Sequence, residues 1–150
     1  MLINSLVAAV HFLAAFGVAA TIFYEWLTFS RQPSQAEARR LQAADRWYGI
    51  FAALVLAAGF LRVFYFEKGV AFYMSNPFFL LKLSLFLIIG LLSIYPTVRF
   101  IGWRKQTSQG QPPVISDLQF SRITLILNLE MILLAALVVS ASLMAKAIGS

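Results

Sequence analysis

Four apolar runs, Leu2 to Phe29, Trp47 to Phe66, Phe78 to Val98 and Ile123 to Met144, constrain this chain more than anything else in it. Each reaches the about 20 residues that cover about 30 Å of hydrocarbon as a helix. Inside lipid a spanning segment must satisfy its own backbone hydrogen bonds, and runs of this length do so as helices. The chain is 61% hydrophobic and only 12% charged, which no soluble domain of ordinary make-up carries. The expectation is an all-α integral membrane protein. Its four transmembrane helices would form an up-down-up-down antiparallel bundle, one domain over residues 1–150.

There is no cysteine, which removes disulfides, thiolate metal sites and a Cys nucleophile. The first run has no Lys or Arg before Arg31, so it lacks the basic flank of a signal peptide and reads as a retained helix. No phosphate-binding loop, hydrolase elbow or calcium loop is present. The net charge is +6, but its placement argues against nucleic acid as a partner. Arg31, Arg39, Arg40 and Arg46 fall between the first two runs, and Arg99, Arg104, Lys105 and Arg122 between the last two. By the positive-inside rule both connections face the cytoplasm and both termini lie outside.

The polar residues inside the runs keep to single faces. Asn4, His11 and Glu25 are spaced in multiples of seven, a step that drifts only about 20° on a straight helix. Close to that face, Ala15 with Ala19 and Gly17 with Thr21 permit near approach of a neighbour. Ser34-Gln-Ala-Glu37 matches a capping box, so the second helix should start in water at about Gln35 and run to Phe66. Steps of three and four from Asp45 give Tyr48, Ala52, Val55, Gly59 and Arg62, one stripe. Asn76-Pro77 reads as the cap and first turn of the third helix, which carries Lys82 and, on the same face, Ser93. Pro96 is expected to kink that helix or to end its regular bonding near Tyr95. Ser116-Asp-Leu-Gln119 is a second capping box, followed by an Arg122, Ile126, Glu130 line, with Asn128 roughly 200° away from Glu130.

Counted from the cytoplasmic end at about 1.5 Å per residue, Arg62 and Lys82 sit roughly 24 Å up, His11 roughly 27 Å, Glu130 about 15 Å and Glu25 about 6 Å. The candidate ligand-binding set is therefore His11, Arg62, Lys82 and Glu130, with Glu25, Asp45, Tyr48 and Arg122 as a second tier. Arg62 and Lys82 either face inward together, as a site for carboxylates or phosphate, or snorkel apart to the headgroups. His11 is the one histidine, open to haem or metal ligation, to proton carriage, or to a plain interior hydrogen bond. Glu130, near mid-bilayer, is either polar glue bridging Lys82 or Arg122 or a proton-handling carboxyl. Glu25 and Asp45 lie close enough to the cytoplasmic end to pair with Arg46, Arg99 or Arg122.

Asp45-Arg-Trp-Tyr48-Gly49, Gly59-Phe-Leu-Arg62, Lys68-Gly69, Phe72-Tyr73, Asn76-Pro77, Lys82-Leu83 and Gly90 through Tyr95-Pro96-Thr97 resemble the pattern of an uncharacterised bacterial four-helix integral membrane protein family, a domain of unknown function. That resemblance spans nearly the whole chain and implies the fold and the bacterial inner membrane, without an activity. A fainter similarity is to the HemJ family of haem-containing protoporphyrinogen oxidases and, through it, to CopD-like membrane domains. It rests on His11, Lys82-Leu83, and Arg122 followed by Asn128 and Glu130. The chain departs from that family at Leu80, where the family has histidine, and lacks its Asn-Glu-Val-Pro motif.

Three functional readings follow. In the first, a redox or porphyrin-handling protein uses haem b or a porphyrin, with His11 as axial ligand, Arg62 and Lys82 on propionates, and Glu130 handling a proton. The second is a small transporter of an organic anion or proton, and the third a non-catalytic accessory subunit or scaffold. The lipid bilayer is the expected environment, with a second copy or another membrane subunit as the candidate protein partner.

Overall fold

Phe29 ends the first helix by turning extended (φ −64°, ψ 126°), and Ser34 opens the second with a complete capping box. The Ser34 hydroxyl accepts from the Glu37 amide at 3.1 Å, and the Glu37 carboxylate accepts from the Ser34 amide at 3.1 Å. In this computed structural model, which describes residues 1–148, the elements are α1 (Leu2–Thr28), α2 (Gln35–Leu61) continued by a π-helical turn (Arg62–Phe66), α3 (Val70–Ser75), α4 (Pro77–Gly102), α5 (Arg104–Ser108) and α6 (Asp117–Ile148). Among the described residues there is no strand. Four stretches, Leu2–Thr28, Gln35–Phe66, Pro77–Ser108 and Asp117–Lys146, are long and apolar enough to cross a membrane.

Two local signals act as the sequence implies. Asn76 accepts from the amides of Phe78 and Phe79 with Pro77 in the first turn, which starts α4. The Ser116 hydroxyl accepts from the Gln119 amide at 3.2 Å at the head of α6. Two features depart from expectation. The Glu67 to Asn76 connection contains α3, entered through Gly69 at φ 87°, a left-handed value that favours glycine. Of the two outcomes expected at Pro96, an end to the helix does not occur: α4 runs on to Gly102, with Pro96 buried inside the bundle. After α5 the Gly110 amide bonds Thr107 and the Gln111 amide bonds Gln106, a Schellman closure that needs the φ of 75° at Gly110.

Inter-helix bonds pair rising numbers with falling ones, so neighbours run antiparallel. Asn4 meets Phe66 and His11 meets Val55 across α1 and α2; Gln42 meets Phe100 and Tyr48 meets Ser93 across α2 and α4. Packing divides into two cores. At the end that carries the arginine-rich connections, hereafter the basic end, Ala38, Leu41, Phe100, Trp103, Ile115, Ile123 and Leu127 are buried under Phe29 and Phe120. Farther along, Val18, Ile22, Tyr48 and Ile89 close the centre against Phe51, Val55 and Leu134. Gly17 matters here, because a Cβ at this position would collide with the Phe51 ring. Leu13, Phe16, Leu91, Ile94, Leu125 and Ile132 are among the large apolar side chains left outside, as the surface of a protein in lipid requires.

Candidate functional site

The polar residues singled out in the spans fall into two tiers, one buried and one half-buried. In the tier nearer the basic end every one of the four spans supplies a group: Glu25 from α1, Asp45 and Tyr48 from α2, Ser93 and Thr97 from α4, and Glu130 from α6. Glu25 is 4% exposed, Asp45 7% and Glu130 2%. Steps of three and four place Asp45 with Tyr48, and Ser93 with Thr97, on single helix faces.

Ser93 is the hub. Its hydroxyl lies 2.7 Å from the Tyr48 hydroxyl, 2.7 Å from the Ile89 carbonyl, and within hydrogen-bond reach of Glu130 Oε1. A serine hydroxyl donates once and accepts twice. The carbonyl can only accept, and Tyr48 can donate. The three bonds therefore close together when Glu130 itself donates, as a carboxylic acid. As a carboxylate, Glu130 accepts a hydrogen bond from the Ser93 hydroxyl, and the bond to the Ile89 carbonyl is released. The hub thus has two hydrogen-bonded arrangements that differ by one proton.

Thr97 donates to Asp45 Oδ1 at 2.6 Å. Glu25 lies within electrostatic reach of both Asp45 and Glu130, yet its buried Oε1 has no hydrogen-bond partner. Among the described residues no ion pair reaches any of these three carboxyls. Pairing of Glu25 and Asp45 with Arg46, Arg99 or Arg122 is thus corrected, because Asp45 is bonded to Thr97 instead. Arg122 is exposed, its guanidinium 6.0 Å from the Tyr95 ring, and bridges neither Glu130 nor Glu25.

The second tier, at the opposite end, brings His11, Arg62 and Lys82 within electrostatic reach of one another and leaves Glu130 out. Lys82 and Ser93 are eleven residues apart on α4, about 16 Å at helical rise. Glu67, which sequence reasoning left in a connection, is the partner of Arg62. Arg62 Nε donates to Glu67 Oε1 at 2.7 Å, its Nη2 bonds the same oxygen, and the Tyr73 hydroxyl donates to Glu67 Oε2. The π-helical turn explains the miss: its i to i+5 bonding brings residue 67 back over residue 62, whereas a regular α-helix would carry it to another face. Arg62 also lies over the Phe12 ring at 5.4 Å and Lys82 over Phe79 at 5.6 Å. Burial raises the Glu67 carboxyl, but the Tyr73 hydroxyl and Arg62 outweigh it and hold the group below the usual range. Burial and the Glu67 carboxylate push the Tyr73 phenol up to about 12.

His11 Nδ1 faces the Val55 carbonyl at 3.1 Å, which assigns its proton to Nδ1 and leaves the Nε2 lone pair free. That orientation is the one a metal-ligating histidine takes. Gly59 packs against the ring edge, where an added Cβ would come within 3.2 Å of Cε1. Two cavities among the described residues lie away from His11. One of about 180 Å³ lies between α2 and α4 at the basic end, with Asp45 and Thr97 in its wall. Another of about 100 Å³ lies beside Trp26, whose indole donates to Asn128 at 2.8 Å. Asn128 does face a different neighbour from Glu130. Among the described residues no group of three or more His, Asp or Glu side chains is arranged to hold a metal ion.

No curated protein and no solved structure matches the chain. Residues 3–149 match the family described as "Predicted membrane protein (DUF2214)". With four apolar helices and a match from end to end, the chain belongs to this family of membrane proteins.

Proposed function

We propose that this protein handles protons within the membrane, as a small carrier whose proton-holding groups are Glu25, Asp45 and Glu130. One observation carries the reading: three carboxyls from three helices converge in the buried bundle, and among the described residues none of them forms an ion pair. Burying an unpaired carboxylate costs several kcal/mol, so a packed apolar bundle keeps such groups where they exchange protons. Tyr48, Ser93 and Thr97 orient the carboxyls, and the two arrangements at Ser93 give the proton a place to leave from and return to.

The Arg62 charge is answered within the chain by Glu67, which weakens the anion-carrier alternative. Its tier, with His11 and Lys82, is the opposite terminus of the path. From Tyr48 to Val55 the way between the tiers is apolar for about 10 Å at helical rise, so exchange is one-sided in this conformation. In this reading the basic end faces the cytoplasm of a bacterium, both termini face outward, and the bilayer is its inner membrane.

The test is proteoliposomes loaded with a pH-sensitive dye under an imposed pH gradient. Wild-type protein should dissipate the gradient and Glu130→Gln should slow this at least tenfold; protein-free rates with wild type would overturn the reading. The porphyrin reading retains the free Nε2 of His11, and a Soret band in protein purified from its native membrane is its test.

A further inference from the structure

We propose that the crevice between α2 and α4 is a water-filled port that opens Asp45 to the aqueous phase at the basic end. The port depends on the proton-handling reading for its purpose and stands on its own geometry. Its volume of about 180 Å³ holds several waters. Its wall is mixed: Phe100 and Ile101 make it partly apolar, while Gln42, Asp45, Arg46, Thr97 and Arg104 supply the polar partners that such waters need.

Three features make it an inlet rather than a packing gap. Asp45 is bonded by Thr97 through Oδ1, and among the described residues Oδ2 takes no hydrogen bond from the protein. That oxygen is left for water, in the same carboxyl that lies within electrostatic reach of Glu25 and Glu130. Gly49 stands one turn past Asp45, and a Cβ built on it meets nothing within 4 Å, so the channel is wide where the glycine forgoes a side chain. Gln42 is fixed, its amide donating to the Phe100 carbonyl at 2.8 Å and its oxygen accepting from Thr107 at 3.3 Å, so the rim is held open by a bonded strut.

The charge at the wall selects what enters. Arg46 and Arg104 are exposed guanidiniums lining the same space, and they disfavour cations of every kind, so that neutral water is what enters. The port ends at the acid cluster, where Ile89 and Val18 are buried in the apolar centre.

The absence of native cysteine allows a direct test. Gly49→Cys and Gly90→Cys are tolerated positions, since a Cβ at either meets nothing within 4 Å, and Gly90 lies on the exposed apolar face of α4 beside Leu87, Leu91 and Ile94. In folded protein in vesicles, a membrane-impermeant charged methanethiosulfonate reagent should modify the thiol at position 49 at least tenfold faster than that at position 90. Equal rates would mean that lipid or packing fills the crevice and would overturn the port. In the gradient assay Gly49→Leu, which fills the space and leaves every carboxyl in the chain, should slow proton flux about tenfold. Wild-type flux in a Gly49→Leu variant of native helicity would overturn the port as the proton route. Should wild-type vesicles carry no protons at all, the proton-handling reading falls, while the labelling rates still decide whether the crevice admits water.

Discussion

The Ser93 hydroxyl holds the Tyr48 hydroxyl at 2.7 Å, tying α4 to α2 in the buried centre of the bundle. The two partners are not equivalent. Tyr48→Phe removes one donor and leaves Ser93 bonded to Ile89 and Glu130, which should cost about 0.5–1.5 kcal/mol. Ser93→Ala leaves both the Tyr48 hydroxyl and the Glu130 carboxyl without a partner, which should cost about 1–3 kcal/mol for each group stranded. Chemical denaturation in mixed micelles measures both, and equal costs would show that Ser93 is not the hub.

Glu130→Leu should uncouple stability from function. Without the carboxyl, Ser93 still donates to Ile89 and accepts from Tyr48, so no polar group is stranded. Exchanging a buried ionisable group for an apolar one of similar volume is often neutral or stabilising by about 1–4 kcal/mol. The thermal midpoint in detergent should therefore hold or rise while proton flux is lost.

Gly17 and Gly90 should respond oppositely to alanine. Gly17→Ala drives a methyl into the Phe51 ring and should destabilise by about 1–3 kcal/mol, relieved when Phe51→Leu is combined with it. Gly90→Ala meets open space and should be neutral or stabilising by up to about 1 kcal/mol. A double-mutant cycle on the first pair, with the second as control, checks the close approach of α1 and α2.

The Arg62, Glu67 and Tyr73 clamp should be lost in acid. Glu67 starts from 4.5 and lies lower once folded, so the clamp contributes fully above pH 4.5 and fades as pH falls through the folded value. Thermal midpoints taken between pH 6 and 3 should fall less steeply for Glu67→Gln than for wild type. In alkali, the tyrosinate absorbance that distinguishes wild type from Tyr73→Phe should develop near pH 12 rather than near 10.

The residues that announce themselves locally were legible in the chain. The four apolar runs, the Ser34 and Asn76 caps and the face shared by Asp45, Tyr48, Gly59 and Arg62 follow from helical periodicity and from the needs of exposed backbone amides. The close approach at Gly17 was legible too, since it has no room for a side chain against Phe51, whereas Ala15 of the same expectation is exposed. Glu67 was not, because the π-helical turn that returns it to Arg62 has no local spelling that distinguishes it from an ordinary helix end.

What the sequence by itself determined is that this chain forms four helices long and apolar enough to cross a membrane, because length and apolarity satisfy a constraint that acts on each segment alone. Which polar groups meet was decided by tertiary structure. Depth along separate helices put Glu130 beneath His11, Arg62 and Lys82, but depth is one coordinate, and the rotation of each helix about its axis comes from packing against its neighbours. That rotation set Glu130 against Ser93 and Tyr48 and set Thr97 against Asp45. Glu130 thereby moved from the expected set with His11, Arg62 and Lys82 to the tier of Glu25, Asp45 and Tyr48, across an apolar layer.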